Sequence, residues 1–333
     1  MEVVEMSDVL GYGYDVVVIG GGAAGLNAAL MLARARRSVV VVDAGAPRNA
    51  PATGVHGLLG REGIPPAELL ERGRGEVRGY GGDVVRAGVD AVTRRDGGFE
   101  VALSDGRVTR GRQVLVATGA VDDLPDVPGL RARWGRDVLH CPYCHGWEVR
   151  DQAIGVLASG PMSVHQALLF RQWSADVTFF THTAPGPAAE EAEQLAARGV
   201  RVIDGEVVAV ETVDDRLAGV RLRGDRMIAR EALVVAPRMV VRADFLAPLG
   251  VRPAQHPAGV GEHIPADVTG RTDVPGVWVA GNVTDPVAQV GAAAAAGAAV
   301  AARINAGLIA EETRQAVEAR HGRVPGRSHT PAR

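Results

Sequence analysis

Residues 14–25 read Tyr14-Asp-Val-Val-Val-Ile19-Gly20-Gly21-Gly22-Ala23-Ala24-Gly25, and they decide the fold. The β-branched run Tyr14–Ile19 predicts a short strand. An Ala/Leu-rich helix is predicted over Leu26–Ala35, and a second strand over Ser38–Val42, closed by Asp43. Gly20, Gly22 and Gly25 therefore fall on a strand-to-helix turn as G-x-G-x-x-G, with an acid about 20 residues on. Glycines permit the tight turn and let the backbone approach a pyrophosphate, which sits at the positive helix N-terminus. Asp43 is placed to accept from a ribose hydroxyl. Strand, turn, helix, strand and acid in register point to a dinucleotide site, although this motif does not separate FAD from NAD.

The chain has 333 residues, room for two domains of ordinary size. It is 47% apolar with a net charge of −3, which fits a soluble α/β protein and gives no reason to expect nucleic acid. Met1–Asp15 carries acids and no basic region, so no secretory signal is expected. The longest uncharged apolar run, Val290–Ala302, is shorter than the ~18–20 residues that span a bilayer, so no membrane partner is expected and a cytoplasmic location is. In that compartment a structural disulfide is unusual and a catalytic one is not. Cys141 and Cys144 are the only cysteines, in the run His140-Cys-Pro-Tyr-Cys-His145. A two-residue spacing lets thiols meet as a disulfide or be held at low pKa by a helix start or a cation. Zinc would need four ligands, and no second Cys/His cluster exists, so no metal is expected.

A second α/β unit is predicted between residues 152 and 235, with a strand at Gln152–Leu157, a helix at Ser163–Trp173 and a strand at Asp176–Phe180. The expected organisation is two Rossmann-like domains. The first is discontinuous, 1–121 with 245–310, and the second, 122–244, is inserted and carries the dithiol. Residues 311–333 turn charged and then Pro/Arg-rich, and are expected to form a mobile tail.

Two further segments carry a resemblance. Val114-Leu-Val-Ala117-Thr118-Gly119 closes a strand with Ala-Thr-Gly, and Val277-Trp-Val-Ala-Gly281-Asn282 puts a strand before Gly-Asn. Both resemble the FAD-contacting motifs of the pyridine nucleotide-disulfide oxidoreductases, where the second motif usually ends in Asp rather than Asn. The order of parts resembles the low-molecular-weight thioredoxin reductases over roughly residues 14–308. Cys141-Pro-Tyr-Cys144-His-Gly-Trp-Glu looks most like the dithiol oxidases of gliotoxin and holomycin biosynthesis, and His145 stands where the reductases usually have Asp. The resemblance implies FAD held by Gly20, Gly22, Ala23, Ala24, Gly25, Asp43, Ala44, Arg48, Asn49, His56, Val89, Ala117, Thr118, Gly119, Gly281, Asn282, Gln289 and Val290. It also implies a homodimer, and Cys144 as the cysteine beside the flavin.

Dithiol oxidation needs a base to form the attacking thiolate, and an imidazole suits that role near neutral pH. His145 and His140 are both candidates. In the second domain the turn Ala158-Ser-Gly160-Pro-Met-Ser163 carries one glycine, and Thr181-His182-Thr183 offers neither arginine for a 2′-phosphate nor acid for a 2′-hydroxyl. This domain is therefore expected to have lost most or all nicotinamide binding. The first expectation is an FAD-dependent oxidase that closes a disulfide in a small-molecule dithiol through Cys141 and Cys144, with oxygen as acceptor. The second is an NADPH-dependent thioredoxin reductase. The third is a flavoprotein that only binds partners and keeps the cysteines for structure.

Overall fold

The computed structural model describes residues 10–322. In chain order the elements are β1 (Gly13–Ile19), α1 (Ala23–Arg34), β2 (Val39–Asp43), α2 (Pro66–Gly79), β3 (Asp83–Arg86), β4 (Val89–Arg95), β5 (Gly98–Leu103), β6 (Val108–Val116) and β7 (Ala120–Asp123). Next come β8 (Val138–Leu139), α3 (Pro142–His145), β9 (Ile154–Leu157), α4 (Ser163–Phe170), β10 (Val177–Phe180), α5 (Ala189–Ala197) and β11 (Arg201–Ile203). There follow β12 (Val207–Val213), β13 (Arg216–Leu222), β14 (Arg226–Ala229), β15 (Ala232–Val235), β16 (Arg238–Val241), β17 (Ala254–Gln255), β18 (Glu262–His263), β19 (Val277–Val279) and α6 (Val290–Gly322).

These strands build two α/β layers. In the first, β3, β2, β1 and β6 lie parallel, β5 and β4 continue antiparallel, and β19 pairs with the C-terminal end of β6. In the second, β11, β10, β9, β15 and β8 are all parallel. A three-stranded antiparallel sheet, β12–β13–β14, packs on it. The two connecting segments run side by side, because β7 pairs antiparallel with β16 from Ala120↔Val241 to Asp123↔Arg238. The dithiol leaves the second sheet at the C-terminal end of β8.

Strand β1 shows why an unbroken valine run is needed. Val17 and Ile19 enter the core under β4–β6, while Val16 and Val18 face α1 and α6. Both faces are covered, so no polar alternation survives. The helix α1 begins at Ala23, three residues before its expected start, because the glycine turn itself supplies the first turn.

The chain departs from expectation at its C-terminal end. Residues 311–322, expected to be mobile, continue α6. Arg112 explains this, since it donates to Asp15, Glu311 and Glu312, while Arg37 donates to Asn305 and Glu312. The remainder of that expectation, 323–333, lies outside the described residues, as does most of Met1–Asp15.

The continued helix also corrects the argument from run length. Val290–His321 is long and apolar enough to cross a membrane by composition. One face of it is committed elsewhere: Ala293, Val300, Ala301, Ile304 and Leu308 are buried in the core shared with α1. Asn27 of α1 donates to the Ala294 carbonyl at 2.8 Å, and a Cβ on Gly297 would lie 2.0 Å from the Ala24 carbonyl oxygen. This is the close packing of a core helix. Replacing Gly297 by Ala should force the two backbones apart, lowering stability by about 1–3 kcal/mol in thermal or urea unfolding.

Candidate active site

The turn after β1 is built by close backbone approach. Gly20 has φ +107°, and a Cβ there would lie 2.4 Å from the Ala117 carbonyl oxygen. A Cβ on Gly25 would lie 1.9 Å from the Gly20 carbonyl oxygen. Gly22 precedes α1 with no side-chain cap and no acid in the first turn, and the space beside its Cα is open. The first N–H groups of α1, from Ala23 and Ala24 onward, thus have no side-chain acceptor. Asp43 closes β2 against this turn, its carboxylate 2.6 Å from where a Gly21 Cβ would sit. Its Oδ1 accepts from Gly45 N, just past Ala44, and its carbonyl accepts from Ala87 N, which leads into Val89 at the start of β4.

The later motifs come to the same place. Ala117 lies under Gly20, Thr118 donates to the Arg242 carbonyl at 3.3 Å, and Gly119 takes φ +69°. Gly281, at φ +76°, approaches Ala24 so closely that a Cβ would fall 2.8 Å from the Ala24 methyl. Asn282 Nδ2 donates to the carbonyls of Asp285, Pro286 and Ala288 at 2.9, 3.2 and 2.9 Å. Its amide hydrogens are spent on shaping the 285–288 turn, and its Oδ1 is left as the acceptor. That turn delivers Gln289, whose carbonyl accepts from Ala293 N, and Val290, the first residue of α6.

Arg48 and Asn49 follow β2 in a tight turn, and Arg48 reaches across to the connecting strand β7. Its Nε and Nη2 both donate to Asp122 Oδ1, at 2.8 and 2.7 Å, where the carboxylate is only 9% exposed. His56 lies on the loop 54–64, its Nδ1 2.6 Å from Glu62 Oε1 and its Nε2 3.6 Å from Glu148 Oε1. The loop before α2 thereby touches the segment just after the dithiol.

Cys141 caps the single turn of α3, and the Cys144 thiol points at Cys141 Sγ from 2.7 Å. The two sulfurs differ electrostatically. The Cys144 thiol, the N–H groups of Cys144 and Tyr143 and the charge of Arg48 bring Cys141 down to about 7 against burial. Cys144, giving its proton to that bond and buried, is pushed up. In the reduced pair Cys141 is therefore the sulfur that ionises first, while Cys144 keeps its proton.

The two histidines also differ. His140 is half-buried; its Nδ1 faces Gln166 Nε2 at 3.1 Å, and the same amide nitrogen donates to the His140 carbonyl. With the Gln166 amide at Nδ1, only Nε2 of His140 remains for a substrate proton. Both ring nitrogens of His145 are buried and have no partner among the described residues. Burial lowers its pKa, opposed by Glu148 and reinforced by His56, so His145 is a neutral imidazole at pH 7.

Known proteins identify the family of the chain. The model of the pyridine nucleotide-disulphide oxidoreductase family matches residues 14–299. The chain belongs to that family. It is 30% identical over 312 residues to the thioredoxin reductase sirT of Leptosphaeria maculans, covering 88% of this chain and 93% of that one. It is 34% identical over 231 residues to the thioredoxin reductase tcpT of Claviceps purpurea, covering 61% and 72%. The crystal structure of HlmI superposes with a TM-score of 0.86 at 50% identity, over 92% of this chain and 96% of that one. An oxidoreductase from Agrobacterium tumefaciens superposes at 0.83 with 35% identity, over 89% and 99%.

The protein is accordingly an FAD-dependent, thioredoxin reductase-like oxidoreductase, and its residues fit the cofactor. An uncapped helix start suits a pyrophosphate and an acid at the second strand end suits a ribose. A carbonyl acceptor at Asn282 suits a hydroxylated chain. The turn that follows β9 is closed, unlike the one after β1. Ser163 Oγ accepts from the N–H groups of Ser159 and Gly160 at 3.1 and 3.2 Å, and Ser159 Oγ is tied to Ala236. Pro187, His182 and the Glu191 carboxylate line the cleft beside it.

Reading the sequence alone missed Asp122, Gln166, Glu148 and Glu62. Glu148 could have been found, since it lies three residues beyond His145 on the same turn. Gln166 could not, since 26 residues separate it from His140.

Two outcomes are expected. Asn282→Asp, although it creates the usual family residue, sets a carboxylate against carbonyl oxygens; the variant should purify with less FAD, read from its flavin-to-protein absorbance ratio. In the reduced protein, iodoacetamide should alkylate Cys141 with a rate that rises through pH ~7, while Cys144 lags, as peptide mass mapping would show.

Proposed function

We propose that this oxidoreductase is a dithiol oxidase, closing an intramolecular disulfide in a small natural-product dithiol. The supporting observation is the contrast between its two βα turns. The first offers open N–H groups to a phosphate; the second has them satisfied by Ser163 and sets Glu191 nearby, so NAD(P)H finds neither a cradle nor a cation. Electrons then enter from the thiol side.

His145 takes the proton of a substrate thiol, and the resulting thiolate attacks Cys141 of the Cys141–Cys144 disulfide. The second substrate thiol attacks the mixed disulfide, forming the product S–S bond and leaving both cysteines reduced, with one proton kept on Cys144. FAD, held at the turn after β1, would supply the two-electron sink that restores the Cys141–Cys144 disulfide, with oxygen as the final acceptor. Gly20, Gly22, Gly25 and Asp43 hold the cofactor's phosphate and ribose, and the Arg48–Asp122 pair keeps a positive charge beside both sulfurs. Tyr143 and Trp147, both largely exposed, flank the dithiol in the chain and offer apolar surface to a small organic substrate. A cytoplasmic homodimer belongs to the same reading.

An NADPH-dependent thioredoxin reductase is the alternative that the relatives' names favour. Anaerobic titration separates the two. Dithiothreitol should bleach the flavin and one equivalent of NADPH should not; rapid bleaching by NADPH overturns the oxidase reading. His145→Gln should lower turnover by about 10²–10⁴, the range a general base supplies, while His140→Gln should act mainly on stability.

A further inference from the structure

Gln166 is a polar side chain that is only 5% exposed, and the dithiol reaction does not use it directly. It lies on α4, whose first residue, Ser163, closes the turn after β9 with its hydroxyl. Gln166 N donates to the Met162 carbonyl at 2.9 Å, so the helix that presents the amide is anchored at its start. Just beyond α4, Trp173 packs edge-on against Tyr143 with ring centroids 6.0 Å apart. A Cβ on Gly146 would fall 2.7 Å from the same indole. The dithiol turn is thus held from both ends, by Gln166 at His140 and by Trp173 at Tyr143 and Gly146.

The orientation of the amide follows from its partners. Gln166 Nε2 lies 3.1 Å from the His140 carbonyl oxygen and 3.1 Å from His140 Nδ1. A carbonyl oxygen only accepts, so the amide atom facing it is the nitrogen. Turning the amide over would set two oxygens together. It would also bury the NH2 where Oε1 now sits without a partner among the described residues, and a buried N–H without an acceptor is the rarer defect. The second amide hydrogen therefore faces Nδ1, which must offer its lone pair. We propose that Gln166 is a positioning residue that holds His140 as the Nε2–H tautomer, a hydrogen-bond donor that cannot take a substrate proton. Nε2 already carries the hydrogen, and the lone pair on Nδ1 is taken by the amide. Burial lowers the pKa of the ring, Arg48 and His145 add to that, and Asp122 opposes it, so His140 is neutral at pH 7. The donor at Nδ1 acts in the same direction, because it bonds only the unprotonated nitrogen. One imidazole beside the dithiol is thus fixed as a donor, while both ring nitrogens of His145 are without a partner among the described residues. This deepens the dithiol-oxidase reading and rests on it for the base that it leaves to His145.

The test is a long-range proton–nitrogen correlation spectrum of the holoenzyme, labelled with nitrogen-15 at histidine and recorded at pH 7 without substrate. The His140 signals are assigned by their loss in His140→Gln. The parent should show His140 Nδ1 at the unprotonated position and Nε2 at the protonated one. In Gln166→Met, which keeps the side-chain length and removes the donor, the two shifts should move toward each other as the second tautomer is populated. His140 should also titrate at a higher pH there than in the parent. A parent spectrum with the hydrogen on Nδ1, or with the two nitrogens averaged, overturns the proposal, as does a Gln166→Met spectrum identical to the parent's. If Gln166→Met does not fold, the parent spectrum decides alone. In anaerobic reduction by dithiothreitol, His145→Gln should lose the imidazole limb of the pH profile and His140→Gln should keep it; loss of that limb in His140→Gln also overturns the proposal. A parent enzyme that dithiothreitol cannot reduce overturns the oxidase reading, and leaves the tautomer as the spectrum finds it.

Discussion

The first turn of α1 is approached from every side by backbone, and the whole cofactor cradle depends on that approach. Gly25 presses on the Gly20 carbonyl, Gly20 on the Ala117 carbonyl, Gly281 on the Ala24 methyl and Gly297 on the Ala24 carbonyl. Each contact is closer than any side chain allows, and each joins α1 to a different part of the chain: its own turn, the end of β6, the segment after β19, and α6. Overpacking at any one would move the N–H groups at the start of α1. Glycine there is a steric requirement of four segments converging on one peptide, and the ligand exploits the opening that they leave.

The dithiol solves a different problem, which is to make two chemically identical thiols unequal. Position does this. Cys141 precedes α3 and collects N–H groups, while Cys144 lies inside the turn and donates. Arg48 adds a positive charge from the other α/β layer, held in place by Asp122 on β7. The charge that favours a thiolate therefore comes from the cofactor-binding layer, so the two layers must stay in register for the thiols to keep their difference. The His56–Glu148 contact bridges the same two layers on the other side of the dithiol.

Much of this was legible in the sequence because it follows local rules. A valine run ending in G-x-G-x-x-G fixes strand, turn and helix through neighbouring residues alone, and the C-x-x-C spacing fixes the two sulfurs through one helical turn. Long-range polar partners were not legible. Gln166 locks His140 across 26 residues, and Asp122 holds Arg48 across 74. No periodicity marks such pairs, since they depend on how two sheets are placed. The C-terminal helix was misread for the same reason: its charged residues look like a solvated tail until Arg112 and Arg37 are seen to neutralise them.

Asn282 shows how a departure from a family pattern can be structural in origin. An Asp at this place could accept from a hydroxylated chain, and on that ground the amide looks like a weakened contact. Its two hydrogens, however, face the carbonyls of Asp285, Pro286 and Ala288, groups that only a donor can satisfy. The oxygen still faces away from them as an acceptor. One side chain thus closes the turn that launches α6 and keeps an acceptor for the ligand, a combination that a carboxylate cannot provide. Ser163 in the second layer makes the opposite use of a polar side chain. Its hydroxyl takes up the N–H groups of Ser159 and Gly160, which an anion would otherwise bind.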